Sequence, residues 1–139
     1  MTCVLVIDGD RSARTAIQTV LEMEGFEVVT ADGNGCGIRA IETSQFDAVI
    51  VDVVVPGLEG LDAVKALHDV APVVPIIAIA PRKFRDCLGP ERDFLGTATT
   101  LGAACCLYKP FMPRDLITAV VACVGRRSQR PASEAQLEG

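Results

Sequence analysis

Five short apolar runs, separated by longer segments with helical spacing, constrain the fold of this chain more than any other feature. The runs cover residues 3–8, 27–31, 46–52, 75–80 and 104–108. Strands that alternate with helices pair in parallel, because each helix returns the chain to the same end of the sheet. The pattern therefore predicts an α/β fold, a doubly wound five-stranded parallel sheet with helices on both faces.

The segments between the runs predict the helices. Between the first two runs, one helical stripe carries apolar side chains and Gly25 ends the helix. Further helices are predicted at 35–44, 59–70 and 113–126, the last of them opened by Pro113. The segment 91–101 favours a helix less, because it contains Gly96 and three threonines.

The length and charge of the chain limit its function. A chain of 139 residues forms one domain, and a formal net charge of -5 argues against direct nucleic-acid binding, which needs a basic surface. The apolar runs are too short to span a membrane, and the opening MTCVLVIDGD is too short and too acidic for a signal peptide. We expect a cytoplasmic protein with no membrane contact.

Cysteine spacing gives no sign of a metal centre. The six cysteines lack paired ligand spacing and the single histidine, His68, has no companion, so reduced structural thiols are expected. After Gly125 the sequence RRSQRPASEAQLEG contains almost no apolar residue. We therefore predict a domain at 1–127 and a disordered tail or linker start at 128–139.

Polar residues stand where three of the predicted strands end. They are Asp8-Gly9-Asp10, Asp52, and Tyr108-Lys109-Pro110. In a doubly wound sheet the carboxyl ends of strands converge on one crevice. Carboxylates and a lysine brought together there suit a divalent cation with a phosphoryl group bound against it, with Asp52 as a candidate nucleophile.

Three motifs, VIDGD, VDVVVPGLEG and LYKPF, resemble in their order and spacing the receiver domain of bacterial two-component response regulators, over nearly all of residues 2–127. The resemblance implies the sheet order 2-1-3-4-5 and a sensor histidine kinase or phosphotransfer protein as phosphoryl donor. It also implies a role for each matching residue: Asp52 as phospho-acceptor, Asp8, Asp52 and the Val54 backbone carbonyl as Mg²⁺ ligands, Lys109 as phosphoryl contact, and Pro110 in a cis peptide bond.

The chain departs from the family pattern at three positions. Gly9 stands where the family has a second acid, so a carboxylate ligand is missing unless Asp10 turns inward. We expect weakened Mg²⁺ binding, by at least the ~10- to 100-fold typical of losing a residue that supports a ligand. Ala80 replaces a Ser or Thr hydroxyl, and Cys106 replaces the switch aromatic, with Tyr108 nearer the lysine.

Two further segments carry predictions. The long loop in 81–101 contains four cations, any of which is a candidate substitute for the missing hydroxyl, although a solvated loop is the alternative: Arg82, Lys83, Arg85 and Arg92. Few charges occur between Phe94 and Val124, and the last helix is nearly apolar all round. We expect an interface in residues 94–124, such as a homodimer contact.

Two functions fit these residues. The first is a phosphorylatable receiver, a signalling domain whose only chemistry is self-catalysed phosphoryl transfer and autodephosphorylation. The second is a receiver-like docking module that works without phosphorylation, as Gly9, Ala80 and Cys106 suggest. A flavodoxin-like enzyme or nucleotide binder is disfavoured, because no glycine-rich loop follows the first run and the chain contains no tryptophan.

Overall fold

Strands and helices alternate along the whole of the chain that the computed structural model describes, which is residues 2–53, 62–81 and 94–138. The strands of this part are β1 (Cys3–Ile7), β2 (Glu27–Ala31), β3 (Ala48–Asp52), β4 (Ile76–Pro81) and β5 (Cys105–Lys109). The helices are α1 (Arg11–Met23), α2 (Asn34–Thr43), α3 (Asp62–Val70), α4 (Phe94–Leu101) and α5 (Pro113–Glu138). The strands lie within two residues of the predicted runs.

The five strands form one parallel sheet in the order β2-β1-β3-β4-β5, which confirms the predicted fold class and order. β1 lies inside the sheet, with Val4 to Ile7 paired to β2 on one side and to β3 on the other. The winding direction changes between β1 and β3. The carboxyl ends of those two strands therefore border a crevice, which is the usual ligand position in such a sheet.

Alternate side chains of each central strand supply two separate cores. Leu5 and Ile7 pack towards α2, α3 and α4, where Leu67 is also fully buried. Val4 and Val6 pack on the opposite face towards α1 and α5. Because both faces are covered, the central strands are apolar throughout, and β3 is buried at every position.

The last helix is longer than predicted. The spacing predicts an end at 126, but α5 continues to Glu138. The division into a domain at 1–127 and a tail at 128–139 stays a prediction. Gly125 lies inside this helix, where a glycine costs only about 1 kcal/mol relative to alanine and so does not end it. The helix α4 forms despite Gly96 and its threonines, with Ala98 fully buried against the sheet. No described helix is both long and apolar enough to cross a membrane.

A glycine in α2 permits a close approach of that helix to the end of β1. A β-carbon built at Gly37 would contact the Cδ1 atom of Ile7 and lie 2.9 Å from its Cγ1 atom. Ile7 is fully buried and directly precedes Asp8, so its packing also fixes where the strand ends. Gly35, two residues earlier in the same helix, has open space around it.

Gly35 and Gly37 form a matched pair for measuring how closely α2 packs against Ile7. Gly35→Ala should leave stability unchanged or raise it by up to about 1 kcal/mol through helix propensity. Gly37→Ala should lower the free energy of unfolding by about 1–3 kcal/mol, because the added methyl overpacks against Ile7. Urea unfolding of both variants measures the difference, and equal values would contradict the close approach.

Candidate functional site

Three strand ends bring their polar side chains together at one edge of the sheet. Asp8 follows β1, Asp52 ends β3 and Lys109 ends β5. The Lys109 ammonium donates hydrogen bonds to Asp8 Oδ2 at 2.9 Å and to Asp52 Oδ2 at 2.6 Å. Because β4 lies between β3 and β5, the lysine side chain spans the carboxyl end of β4 to make these contacts.

Because Asp8 and Asp52 are buried, the stability of the Asp8–Asp52–Lys109 cluster depends on the balance of its charges. Asp8 is only 2% exposed and Asp52 only 5% exposed. A buried carboxylate is costly unless it is paired and hydrogen-bonded, and two of them side by side also repel each other. One ammonium serves both, so these three side chains together carry one negative charge and attract a further cation.

The protonation of Lys109 reflects the same balance. Burial by itself lowers the pKa of the ammonium, but hydrogen bonds to Asp52 and Asp8, together with their negative charges, outweigh burial and raise the pKa above its ordinary value. The lysine therefore stays charged at neutral pH. A positive group stands permanently beside the carboxylate of Asp52.

The turn between β1 and α1 places Asp8 and gives Asp10 a structural role. The backbone N–H of Asp10 donates to Asp8 Oδ1 at 2.9 Å. The Asp10 carboxylate accepts from the Ser12 backbone N–H at 3.1 Å and caps α1. A ligand role for Asp10 needs an inward turn of its carboxylate and stays a prediction; in this structure its Oδ1 atom is engaged as the helix cap. Gly9, between the two aspartates, is exposed.

The two atypical switch positions share one face of the sheet. Ala80 is fully buried, and Cys106 and Tyr108 pack against the same core from β5. Ala80 is paired in register with Tyr108, so the aromatic ring nearest to Ala80 along β5 belongs to the residue before Lys109. The Lys109–Pro110 peptide bond is cis, the isomer that the resemblance implies.

Several predicted site residues lie outside the described residues. They are Val54, whose backbone carbonyl is the expected third metal ligand, and the loop cations Arg82, Lys83, Arg85 and Arg92. Within the described residues, the site consists of Asp8, Asp52 and Lys109 together with the turn that follows β1.

The donor atoms in the described part suit a hard cation. No group of three or more histidine, cysteine, aspartate or glutamate side chains in this part is placed to hold a metal. Asp8 and Asp52 do present two carboxylates beside one another. Mg²⁺ is commonly bound by one or two carboxylates, with waters and phosphate oxygens completing its octahedron. The carboxylate pair fits that mode of binding.

Sequence reasoning missed one residue of this region. Arg14, in the second turn of α1, donates from its guanidinium to the Asp8 backbone carbonyl at 2.8 Å. The signal available in the sequence was an arginine four residues after the helix-capping Asp10, which is where a side chain can reach back over the turn.

Comparison with known families gives a match over most of the chain. The family model described as "Response regulator receiver domain" matches residues 4–121. The matched segment contains all three strand ends of the site.

Two bacterial regulators illustrate the similarity in sequence. The alkaline phosphatase synthesis transcriptional regulatory protein PhoP of Bacillus subtilis is 31% identical over 137 residues, which are 97% of this chain and 53% of that protein. The CpxR homolog of Haemophilus influenzae, a transcriptional regulatory protein, is 33% identical over 135 residues, 96% of this chain and 54% of that protein. The chain spans about half the length of these curated relatives.

Solved structures share the fold. A CheY-like response regulator receiver domain protein from Methanospirillum hungatei superposes with a TM-score of 0.81 at 23% identity, covering 94% of this chain and 98% of that one. A response regulator receiver domain protein from Clostridium thermocellum gives a TM-score of 0.79 at 28% identity, covering 93% and 98%. The whole described fold is therefore that of known receiver domains.

The charge balance of the site can be measured through Lys109→Met. Its loss leaves two buried carboxylates without their ammonium, so we expect the free energy of unfolding at pH 7 to fall by about 3 kcal/mol. Because the folded-state pKa of Lys109 is raised, its contribution is complete below the unfolded pKa of about 10.4 and is lost as pH rises through the folded pKa. The difference in the free energy of unfolding between wild type and variant should therefore become smaller at high pH.

Urea unfolding in metal-free buffer at a series of pH values measures this difference. Lys65→Met is the control, since the Lys65–Asp69 pair at 3.0 Å has both side chains 60% exposed and should contribute only about 0.5 kcal/mol. Equal losses for the two variants would contradict the charge balance described for the site.

Proposed function

The chain belongs to the response regulator receiver domain family, and on that premise we propose that Asp52 accepts a phosphoryl group from a sensor histidine kinase or phosphotransfer protein. The observation that carries the proposal is the hydrogen-bonded cluster of Asp8, Asp52 and Lys109 at the carboxyl ends of three strands. Receiver domains are signalling domains, so phosphorylation alters contacts with a partner protein and is not turnover of a metabolite.

The proposed step is a phosphoryl transfer to a carboxylate oxygen. Asp52 attacks the phosphorus of a phosphohistidine in line, an O–P bond forms, and the N–P bond breaks with its electron pair left on the imidazole, which takes up a proton. Bound Mg²⁺ would neutralise charge on the phosphoryl oxygens, with Asp8, Asp52 and the Val54 carbonyl as its proposed ligands. Lys109 turns its ammonium from the Asp52 carboxylate to a phosphoryl oxygen.

Movement of Lys109 supplies a route from the site to the surface. The residue ends β5 and is followed by Pro110 and the start of α5. A phosphoryl group adds negative charge beside the ammonium, and a change in the position of Lys109 is passed to the adjoining backbone. This route does not use a hydroxyl at position 80 or an aromatic ring at position 106.

The surface reached in this way includes part of the predicted interface at 94–124. The edge strand β5 is partly exposed at all five positions although four of them are apolar or aromatic. Met112 is 57% exposed and Val121 is 54% exposed. We propose that this surface forms a homodimer after phosphorylation. Sedimentation velocity would test this, since an unchanged monomer in the phosphorylated state would exclude the dimer.

The output and location follow by analogy. Relatives of this chain are named transcriptional regulatory proteins, and we propose an output of that kind, controlled in the cytoplasm. We assign DNA binding to another part of such a regulator, because the formal net charge of this chain is -5. Cell fractionation with an antibody against the chain checks the location, and recovery in the membrane fraction would contradict it.

The direct test uses a small acyl phosphate as donor. With Mg²⁺ present, intact-protein mass spectrometry should show the gain of one phosphoryl group, and alkaline hydroxylamine should remove it as expected for an acyl phosphate. Asp52→Asn removes the nucleophile and should abolish the gain. A wild-type protein that stays unmodified with the donor and with a panel of phosphorylated kinases would instead support the docking module that works without phosphorylation.

The same assay measures what Gly9 removes from the site. Gly9→Asp places a carboxylate on the exposed turn beside Asp8. We expect the Mg²⁺ concentration needed for half-maximal phosphorylation to fall by about 10-fold or more. Gly125→Asp adds the same charge at an exposed position with open space around it, roughly 18 Å along α5 from Pro113, and should leave the Mg²⁺ dependence unchanged. Equal effects of both variants would mean that only net charge matters.

A further inference from the structure

Asp8 is held at every one of its polar groups, and one of these contacts has no part in the chemistry proposed above. Its N–H donates to the Ala31 carbonyl at 3.1 Å. Its carboxylate accepts from Asp10 N–H and from Lys109. Its carbonyl accepts from the Arg14 guanidinium at 2.8 Å. The last contact is the only one of the four that fixes the peptide between Asp8 and Gly9.

That peptide needs a fixing contact because of the residue that follows it. Glycine has no β-carbon and adopts many backbone conformations that other residues do not. A free Asp8–Gly9 peptide would rotate and displace the Asp10 N–H, which binds the Asp8 carboxylate across Gly9 at 2.9 Å. The carboxylate would then lose one of the contacts that orient it. The side chain must nevertheless face Asp52 and Lys109 across the crevice, at hydrogen-bond distance from the ammonium.

Arg14 is itself firmly placed. Its backbone N–H donates to the Asp10 carbonyl at 2.9 Å, which is the first hydrogen bond of α1. Asp10 caps the same helix with its carboxylate. These contacts form a closed ring: Asp10 N–H binds the Asp8 carboxylate, the Asp10 carbonyl binds Arg14 N–H, and the Arg14 guanidinium binds the Asp8 carbonyl. The turn is anchored to the helix at both of its ends.

We propose that Arg14 is a positioning residue for the metal and phosphoryl site, which holds the Asp8–Gly9 peptide so that the Asp8 carboxylate faces Asp52. The inference rests on the proposed function, because the orientation of the Asp8 carboxylate matters only if the site binds Mg²⁺ and a phosphoryl group. Arg14 acts through Asp8 and does not contact the phosphoryl group. The partner of Arg14 is a neutral carbonyl, so Arg14 acts by fixing the geometry of the turn. The positive charge of Arg14 alone would have the opposite effect, because it would oppose Mg²⁺ binding.

Three variants separate geometry from charge. Arg14→Met keeps an apolar side chain and removes the hydrogen-bond donor. Arg14→Lys keeps the positive charge but replaces the planar guanidinium with an ammonium group. Arg11→Met removes the same charge from an exposed position at the start of the same helix. Thermal unfolding of each variant establishes that it is folded, and if Arg14→Met does not fold, Arg14→Lys carries the comparison.

The first readout needs no metal. In amide NMR spectra of the metal-free full chain, Arg14→Met should shift and broaden the Gly9 and Asp10 signals, Arg14→Lys should do so less, and Arg11→Met should leave them in place. Unchanged Gly9 and Asp10 signals in Arg14→Met would overturn the proposal. This result does not depend on Mg²⁺ binding. Failure of the wild-type chain to bind Mg²⁺ would contradict the proposed function and leave the NMR comparison of Arg14→Met valid.

The second readout is Mg²⁺ affinity, measured by titrating the same signals. Arg14→Met should weaken Mg²⁺ binding by about 10- to 100-fold, as expected for loss of a residue that orients a ligand. Arg14→Lys should recover part of this loss, and Arg11→Met should bind as the wild type does. Tighter Mg²⁺ binding in both methionine variants would show that Arg14 acts only through its charge, and would also overturn the proposal.

Discussion

The described part of the structure depends on one electrostatic constraint, which is that two buried carboxylates at the ends of neighbouring strands both bind the Lys109 ammonium. Asp8 and Asp52 are almost fully removed from water, and Lys109 hydrogen-bonds to both of them. Without that ammonium, burial and mutual repulsion would oppose the arrangement. With it, the three side chains retain one negative charge, so the site is stable in its resting form and still attractive to a cation.

The sheet topology is what makes this arrangement possible. In the order β2-β1-β3-β4-β5, the strand before Asp8 and the strand that ends in Asp52 are neighbours, and the strand that ends in Lys109 is two places away from β3. A side chain of lysine length covers that gap. The parallel direction matters equally, because only in a parallel sheet do all of these carboxyl ends meet at one edge. The apolar strands behind the site form cores on both faces and hold the strand ends in register.

Much of this arrangement could be predicted from the sequence, for physical reasons that differ between elements. The strands were predictable because runs such as Val4 to Ile7 must be buried on both faces, and the convergence of the strand ends follows from parallel pairing. The role of Asp10 was not settled by sequence, because an aspartate after a strand serves equally as ligand or helix cap. The Arg14 contact was missed because a surface arginine on a helix has many possible partners.

The length of α5 shows a different limit. The polar residues after Gly125 give no helical pattern when they are considered alone, but they continue a helix whose earlier turns pack on the sheet through Leu116 and Val120. Extending a formed helix costs far less than starting one. Local composition therefore underestimates helix length wherever packing upstream has already formed the first turns.

In the function proposed above, Asp8, Asp52 and Lys109 act as one site that binds Mg²⁺ with a phosphoryl group on Asp52. The most direct measurement is an amide NMR titration of the full chain with Mg²⁺ and beryllofluoride, a phosphoryl mimic, repeated on Asp52→Asn. We expect saturable shifts at Gly9, Asp52 and Lys109 that extend into α5 and disappear in the variant. Signals that stay unchanged at millimolar Mg²⁺, or shift equally in Asp52→Asn, would contradict the proposed function.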